Sequence, residues 1–307
     1  MRAVAVHGFD GSPEITDIPV PVAQQDEILI QVEASSVNGF DLLIASGQAQ
    51  SMMEYRFPVV LGRDFAGTVV ASEHGEIMTG DRVFGMITGD YLHEGSFAEY
   101  VVVSGSFGVS RIPDDMSASA AGAIALAGTT ALDCVAVIAP QPRHTVLVSG
   151  ATGGVGALAI QLITAQGASV IATARPGPEE EFVRAMGATH VIDYTGDITA
   201  SAGAIAPGGV DSVIHLAGDP ALLGDLVKRN GSFASTRGVS SVGRGDVAVT
   251  AISAAPTRDT LDELAEAVSE SRLLVPVTHT YPLDEALTAL EDFARGSLGK
   301  LAIRVGG

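Results

Sequence analysis

The fold of this protein is decided by residues 146–156, which read VLVSGATGGVG. An apolar, strand-like run leads into this glycine-rich turn, and an apolar helical pattern follows it. Ala151, Gly153 and Gly156 have the spacing of the dinucleotide-binding fingerprint, with alanine in place of the first glycine. A tight turn without a ligand is the alternative, but the flanking strand and helix favour a nucleotide site. The predicted cofactor-binding residues are Ala151, Thr152, Gly153, Gly154, Val155 and Gly156.

The residues around this turn continue the alternation of strand and helix. Short apolar runs at 145–148, 169–173, 213–216 and 232–234 are separated by helical patterns. Strands this apolar, joined by helices, predict a parallel sheet that is covered on both faces. We therefore predict an α/β protein with a doubly wound Rossmann domain at residues 116–255.

The residues outside this domain show a different sequence pattern. Residues 28–32, 68–71 and 100–103 alternate like strands, and glycine- and proline-rich segments connect them. The tail contains two amphipathic helical patterns and ends in a strand-like run. We predict that residues 1–115 and 256–307 together form a β-rich catalytic domain.

The end of the strand at 169–173 bears on which dinucleotide is bound. NAD sites usually place an acid there to hold the ribose 2′-hydroxyl, whereas Arg175 follows this strand. A guanidinium binds a 2′-phosphate with two hydrogen bonds, so the sequence favours NADPH. The alternative is that Arg175 is only a solvated loop residue, since Glu179, Glu180 and Glu181 alter the local field.

Residues that follow the later strands are also expected to line the cofactor site, namely Ala217, Gly218, Ser235 and Thr236.

Composition and charge limit the possible partners. The 307 residues include 36 acidic and 17 basic side chains, which gives a formal net charge of −19. A chain this acidic has no long-range attraction for nucleic acid or for an anionic membrane. The single cysteine, Cys134, excludes an internal disulfide framework and any multi-cysteine zinc site. Since the N-terminus lacks the apolar core of a signal peptide, we expect a cytoplasmic protein.

Missing residues exclude one other enzyme class and leave a second without support. Short-chain dehydrogenases share a Rossmann core but need a Tyr-x-x-x-Lys pair. Here Gly224 and Gly296 stand four positions before the two lysines, Lys228 and Lys300. Ser149 has no nucleophile-elbow pattern around it, so hydrolase chemistry is unsupported.

Short motifs run along the chain in a fixed order. They are VNGFD at 37–41, PVVLGRDFAGTV at 58–69, GDRVF at 80–84, GSFAEY at 95–100, AGTTA at 127–131, MGATHVIDY at 186–194 and GK at 299–300. Together with the glycine-rich turn, this series resembles the zinc-independent quinone oxidoreductase branch of the medium-chain dehydrogenase/reductase superfamily. The resemblance covers nearly the whole chain and implies a GroES-like catalytic domain, a Rossmann domain and a homodimer.

The resemblance also bears on metal dependence. Zinc-dependent alcohol dehydrogenases of this superfamily carry a His-Glu pair where this chain has Arg63 and Asp64, and they use cysteine ligands. Without a Lewis acid, the oxidation of simple alcohols loses its usual means of stabilising an alkoxide. The chemistry that the resemblance implies is hydride transfer from NADPH to a quinone or an α,β-unsaturated carbonyl.

Individual residues acquire roles from the same resemblance. Asn38 matches an asparagine beside the nicotinamide whose amide can donate to the acceptor carbonyl, although a turn-forming asparagine is the alternative. Asp41 matches the accompanying aspartate and is expected to act as a hydrogen-bond acceptor. Thr130 and Tyr194 match cofactor-contacting residues, with helix packing as the alternative for Thr130 and an ordinary core or surface position as the alternative for Tyr194. Lys300 is a cation available to the anionic cofactor.

One departure from the family pattern leaves the acceptor open. The branch often has a tyrosine two residues after Asp41 as a proton donor, and Leu43 stands there. Protonation by water suits a quinone, whereas enoyl reduction more often needs a placed donor. Two alternatives therefore remain: an enoyl reductase of a biosynthetic pathway, and a non-catalytic NADPH-binding redox sensor or structural protein.

Overall fold

The computed structural model describes residues 1–9 and 11–306 and divides into two compact units. The first unit comprises Met1–Thr129 and Ala255–Gly307, and the second unit comprises Thr130–Ala254. The chain therefore leaves the first unit once and returns to it. Each unit has a β-sheet of its own.

The first unit begins with short strands joined by turns, because apolar and polar residues alternate along this part of the chain. The predicted strands at 28–32, 68–71 and 100–103 each lie within an observed strand and are confirmed. The elements are the strands β1 (Arg2–Val6), β2 (Glu14–Asp17), β3 (Glu27–Ser36), β4 (Glu54–Tyr55), β5 (Val59–Val60), β6 (Asp64–Ser72), β7 (Arg82–Met86), β8 (Tyr91–Leu92), β9 (Tyr100–Ser104) and β10 (Val109–Arg111), and the helix α1 (Gly39–Ala45).

The next element, helix α2 (Ala118–Ile138), contains the point at which the chain passes into the second unit. By length and composition alone this helix could cross a membrane. However, 72% of its most apolar window is buried inside the structure, and core helices pass the same test of length and composition. The burial of α2 is that of a core helix.

The second unit is a parallel sheet with connecting helices. Its elements are β11 (Thr145–Ser149), α3 (Gly154–Ala165), β12 (Ser169–Thr173), α4 (Pro178–Ala185), β13 (His190–Ile192), α5 (Ile198–Ile205), β14 (Val210–His215), α6 (Pro220–Asp225), β15 (Val227–Ser235) and β16 (Ala248–Ala251). The strand order is β13-β12-β11-β14-β15-β16, and every neighbouring pair is parallel. Leu147, Ile171 and Phe233 are fully buried in its core.

This order confirms the predicted α/β class and doubly wound sheet. The chain starts at β11, proceeds outward to β13, and then resumes on the other side of β11 with β14. Ligands of such sheets bind outside the carboxyl ends of the strands at this switch point. The ends of β11, β12 and β14 are therefore the places to look for cofactor-binding groups.

The tail of the chain returns to the first unit as α7 (Arg258–Ser269), β17 (Val277–Pro282), α8 (Ala286–Arg295) and β18 (Lys300–Arg304). The main sheet of this unit has the order β10-β7-β6-β3-β18-β17, and β9 also pairs with β3. Strand β18 runs antiparallel to β3, with Ala302 opposite Ser36. This pairing carries Lys300, two residues before Ala302, to the segment that follows β3.

Candidate active site

The cofactor turn, residues 149–156, connects strand β11 to helix α3. Gly150 has a φ of 70°, which favours glycine, and its N–H donates to the Thr173 hydroxyl at 3.1 Å. Since Thr173 is the last residue of β12, this bond ties the turn to the neighbouring strand. Gly150 directly precedes Ala151, the first residue of the fingerprint. The fingerprint spacing therefore predicted neither Gly150 nor Thr173.

Two other glycines of the cofactor turn have contrasting surroundings. A Cβ on Gly156 would lie 2.6 Å from both the Ala151 Cα and the Gly150 carbonyl oxygen, so close packing requires glycine there. A Cβ on Gly153 would have no atom nearer than that carbonyl oxygen, at 3.7 Å. Gly153 is the N-cap of α3, whose first N–H groups have no partner within the helix. Open space beside backbone donors at the positive end of a helix dipole fits a phosphate group.

Arg175 lies just beyond β12 and is paired with a carboxylate. Its Nε and Nη2 donate to Glu179 Oε1 at 2.8 and 2.5 Å, and its backbone N–H donates to Oε2 at 2.8 Å. Glu179 is in the first turn of α4, and its carboxylate lies next to the end of β12. The sequence shows no acid directly after the strand, but the fold brings one there. The Arg175 side chain is 60% exposed, whereas that of Glu179 is 14% exposed.

Tyr194 completes what we call the strand-end cluster, which consists of Arg175, Glu179 and Tyr194. The Tyr194 hydroxyl donates to Glu179 Oε1 at 3.3 Å, and the guanidinium carbon lies 6.0 Å from the tyrosine ring centroid. Burial opposes ionisation of Glu179, but the hydrogen bonds from Arg175 outweigh it and lower the pKa of this carboxyl. The cluster therefore brings two predicted residues together around an ionised carboxylate.

The residues predicted at the ends of the later strands differ in accessibility. His215, the last residue of β14, contacts Ser235 Oγ through Nδ1 at 2.9 Å and the Gly218 carbonyl oxygen through Nε2 at 3.1 Å. Burial lowers the pKa of His215, so the imidazole is neutral at pH 7. The Ser235 side chain is fully buried, whereas Ala217 and Gly218 are exposed and Thr236 is half-buried.

The first unit contains what we call the buried charge cluster: Asn38, Asp41, Arg63, Asp64 and Lys300, none of which is more than 8% exposed. These residues come from three separate parts of the chain. Asn38 caps helix α1, whereas Asp64 begins β6 and Lys300 begins β18. Their proximity follows from the pairing of β18 and β6 with β3.

Asp64 is the centre of the buried charge cluster. Its Oδ2 accepts from Ser36 Oγ at 2.6 Å, from Asn38 Nδ2 at 2.9 Å and from Lys300 Nζ at 3.4 Å. Its Oδ1 accepts from the Leu126 N–H at 2.7 Å. A buried carboxylate needs such partners, because the charge loses its hydration on burial.

Asn38 is held at both ends of its side-chain amide. Nδ2 donates to Asp64 Oδ2 and to the Ser36 carbonyl oxygen at 3.2 Å, while Oδ1 accepts from Lys300 Nζ at 2.6 Å. Both amide hydrogens are engaged within the protein, so donation to an acceptor carbonyl requires one of them to change partner. Burial lowers the pKa of the Lys300 ammonium, an effect that the neighbouring carboxylates oppose.

Asp41 accepts hydrogen bonds from backbone N–H groups of two separate segments. Its Oδ2 accepts from the Asn38 N–H at 2.8 Å and its Oδ1 from the Gly62 N–H at 3.0 Å. Burial raises the pKa of Asp41 to about 7, although the hydrogen bond from Asn38 acts in the opposite direction. The nearby Arg63 donates to the Ile87 carbonyl oxygen, and burial lowers the pKa of this guanidinium to about 10. These contacts fit the acceptor role expected for Asp41.

The residues of the buried charge cluster do not fit a zinc ion. Arg63 and Lys300 are cations that offer no lone pair, and Asp64 already accepts from four donors. Burial raises the pKa of the Cys134 thiol to about 12, whereas zinc binds a thiolate. Within residues 1–9 and 11–306, no three His, Cys, Asp or Glu side chains are grouped to hold a metal.

An apolar groove of about 710 Å³ lies along helix α1 in the first unit. Leu42 and Leu43 line it together with Leu287 and Leu290 of α8. Leu43 stands where the resembling branch often has a tyrosine, so this part of the groove wall is apolar. Because α1 begins just after Asn38, the groove shares a helix with the buried charge cluster.

The motifs find the positions of the charged residues but not their partners. The sequence shows Arg63 and Asp64 only as a replacement for a His-Glu pair, and it gives Glu179 only as part of an acidic run. The i, i+4 spacing of Arg175 and Glu179 is not a helical signal for this pairing, since Arg175 precedes α4, which begins at Pro178. No local signal links Asp64 to Lys300.

Two family models match the chain. The model of the alcohol dehydrogenase GroES-like domain matches residues 24–114. The model of a zinc-binding dehydrogenase matches residues 186–303. The first match lies in the β-rich first unit, in which the buried charge cluster is found.

Relatives match over the full length. The quinone oxidoreductase of Sus scrofa is 30% identical over 333 aligned positions, covering 99% of this chain and 97% of the relative. The structure of the quinone oxidoreductase from Coxiella burnetii superposes with a TM-score of 0.89 at 27% identity, covering 100% of this chain and 99% of that one. A mycobacterial protein solved in complex with NADPH gives a TM-score of 0.86 at 27% identity, covering 99% of this chain and 100% of that one.

Proposed function

Because the chain belongs to the quinone oxidoreductases of the medium-chain dehydrogenase/reductase superfamily, we propose that it reduces a quinone or an α,β-unsaturated carbonyl with NADPH and without zinc. Membership makes it an NAD(P)-dependent oxidoreductase that acts on a small molecule. The observation that carries the finer proposal is the burial of Arg63 and Lys300 close to Asp64, where zinc-dependent members carry metal-ligand residues.

The buried cations support hydride transfer without a metal. A zinc ion near Asp64 would have to displace the donors that already satisfy this carboxylate, and it would face two positive charges. Acceptors that are already electron-poor need less stabilisation of developing charge than simple carbonyls do. NADPH supplies the hydride; with one proton from water, a quinone becomes a hydroquinone and the cofactor becomes NADP⁺.

Asn38 is the residue that we assign to the acceptor oxygen. Lys300 holds its Oδ1 at 2.6 Å, so the ammonium both fixes the amide plane and polarises the opposite N–H groups. One Nδ2 hydrogen would pass from the Ser36 carbonyl oxygen, its longer bond at 3.2 Å, to the acceptor carbonyl. Leu42 and Leu43, which follow Asn38 on α1 and line the apolar groove, support an apolar acceptor. Leu43 offers no proton there, so water supplies the proton.

Arg175 supports NADPH as the cofactor. Its guanidinium is exposed and lies just beyond β12, the strand that Thr173 ties to the cofactor turn. A phosphate bound by the turn and a 2′-phosphate bound by Arg175 would be attached to the 5′ and 2′ positions of one adenosine ribose. The other predicted contacts stay predictions: Thr130, Tyr194, Ala217, Gly218, Ser235, Thr236 and Lys300.

Kinetics with purified protein test the reaction. NADPH oxidation is followed with 1,4-benzoquinone, with an enone and with a simple aldehyde, each with and without a strong zinc chelator. We expect turnover with the quinone or the enone, little with the aldehyde, and no effect of the chelator. Loss of turnover in chelator, or a preference for the aldehyde, contradicts the proposal.

Replacement of Arg175 by alanine tests the cofactor assignment. We expect the Kd of NADPH to rise about tenfold, because a charge-assisted bidentate contact to the 2′-phosphate is lost. The Kd of NADH should change much less, since NADH lacks this phosphate. Calorimetric titration measures both constants. An unchanged NADPH preference in Arg175→Ala would remove Arg175 from the 2′-phosphate site.

The two alternatives predict different outcomes of the same assays. An enoyl reductase would give its highest kcat/KM with an enoyl thioester rather than with the quinone. A redox sensor would bind NADPH tightly and oxidise none of it with any acceptor. Our proposal also includes a cytoplasmic homodimer, as in the resembling family, and light scattering of the purified protein tests the oligomeric state.

A further inference from the structure

The strand-end cluster already contains an anion at the place that we assign to the 2′-phosphate. Glu179 accepts from the Nε, Nη2 and backbone N–H of Arg175 and from the Tyr194 hydroxyl. We propose that Glu179 is an internal competitor for the 2′-phosphate and so sets the balance between NADPH and NADH. This inference rests on the proposed placement of the 2′-phosphate at Arg175.

The two members of the ion pair differ in mobility. The Glu179 side chain is only 14% exposed, and its Oε2 is anchored by a backbone N–H. The Arg175 side chain is 60% exposed and has several rotatable bonds, so the guanidinium can turn away at little cost. The carboxylate is therefore the fixed partner and the guanidinium is the movable one.

For NADPH, Glu179 acts against binding. The 2′-phosphate must take part of the Arg175 guanidinium from the carboxylate, and the two anions then lie near the same cation. The repulsion between the two anions and the loss of hydrogen bonds between Arg175 and Glu179 both make the free energy of NADPH binding less favourable. Removal of the charge at Glu179 should therefore tighten the binding of NADPH.

For NADH, the same carboxylate acts in favour of binding. The unphosphorylated ribose presents a 2′-hydroxyl, which commonly donates a hydrogen bond to an acid near the end of the second strand. Glu179 reaches this strand end from α4 rather than from the strand itself, so the acceptor is present although the usual sequence position lacks it. Removal of the charge should therefore weaken the binding of NADH, the opposite effect to that on NADPH.

The test compares Glu179→Gln with Glu180→Gln. Glutamine keeps the size of the side chain and an acceptor oxygen for the Arg175 N–H, but it removes the charge. Glu180 is the matched control, because it lies next to Glu179 on α4 and pairs with Arg184, four residues on, at 2.9 Å. Both variants change the net charge equally. A difference between their Kd values therefore reports the position of Glu179 rather than the net charge of the protein.

Calorimetric titrations with NADPH, NADH, 2′,5′-ADP and 5′-AMP provide the readout. For Glu179→Gln we expect the Kd of NADPH and of 2′,5′-ADP to fall about three- to tenfold, in the range of a partly exposed ion pair, and that of NADH to rise. Glu180→Gln should leave all four constants near those of the original protein. Because 2′,5′-ADP and 5′-AMP carry no nicotinamide, their Kd values do not depend on turnover. Thermal melts establish that both variants are folded.

The possible failures are distinguishable. Weaker NADPH binding by Glu179→Gln would mean that Glu179 orients Arg175 for the phosphate, and equal effects in the two variants would mean that only net charge matters. Either result overturns the inference while leaving the proposed function in place. No binding of any of the four nucleotides to the original protein would overturn the proposed function and the inference with it.

Discussion

The two charged clusters of this protein differ in burial, and burial decides what each can do. Lys300 and Asp64 are 2% and 0% exposed and lie 3.4 Å apart, whereas Arg175 and Glu179 are 60% and 14% exposed and lie 2.5 Å apart. The shorter ion pair is the exposed one. Distance alone would therefore give the wrong order of importance for the stability of the fold.

The difference follows from what replaces a broken contact. At the strand-end cluster, water or a ligand phosphate can take the place of Glu179 beside Arg175. In the buried charge cluster nothing can, because Asp64 has no access to water and depends on its four protein donors. The buried cluster is accordingly a fixed scaffold for Asn38, while the exposed cluster can exchange partners when a cofactor binds.

The largest effect should come from removal of the buried cation. Lys300→Met leaves Asp64 without its ion-pair partner and Asn38 Oδ1 without its donor, and we expect the free energy of unfolding to fall by about 3–5 kcal/mol. Lys228→Met is the control, because Lys228 pairs with Asp211 at 2.9 Å with its side chain 42% exposed. That variant should lose no more than about 1 kcal/mol. Urea unfolding of both variants measures the difference, and equal losses would refute the contrast based on burial.

A smaller and pH-dependent effect is expected at Asp41. Burial raises the pKa of this carboxyl from 3.8 to about 7, so the folded protein binds the proton more tightly than the unfolded chain does. The resulting stabilisation is full below pH 3.8 and is lost as the pH rises through about 7. The stability of the original protein relative to Asp41→Asn should therefore decrease across this window. Urea unfolding at a series of pH values measures it, and an increase instead would show that Asp41 is ionised in the fold.

The smallest effect should come from Glu179, and its pH dependence should have the opposite sign. Hydrogen bonds from Arg175 lower the pKa of Glu179 below its ordinary value of 4.5 despite partial burial. The stability of the original protein relative to Glu179→Gln is therefore present above pH 4.5 and is lost as the pH falls. At neutral pH we expect a loss within about 1 kcal/mol for this variant, as for other exposed pairs. Thermal melts at pH 7 and pH 4 measure both quantities. A loss at pH 7 as large as that of Lys300→Met, or a difference that grows at pH 4, would contradict the comparison.

Local patterns in the sequence predict much of the architecture and one part of the site. Apolar runs separated by helical patterns predict the parallel sheet of the second unit, because buried parallel strands need apolar side chains on both faces. The spacing of Ala151, Gly153 and Gly156 predicts the cofactor turn, because close packing at Gly156 leaves no room for a Cβ. The order of motifs predicts the family. Each single run, turn or motif is local, although the ordered series of motifs extends from residue 37 to residue 300.

Only the tertiary structure decides which charges meet. Asp64 and Lys300 are 236 positions apart, and their contact exists because β18 pairs with β3, which also pairs with β6. Glu179 reaches the end of β12 because α4 begins with a turn that folds its carboxylate back onto the Arg175 N–H. Residue type and spacing determine local conformation through backbone sterics and hydrophobic periodicity. The partner of a charge depends on strand register and burial, which are set by the packing of the whole sheet.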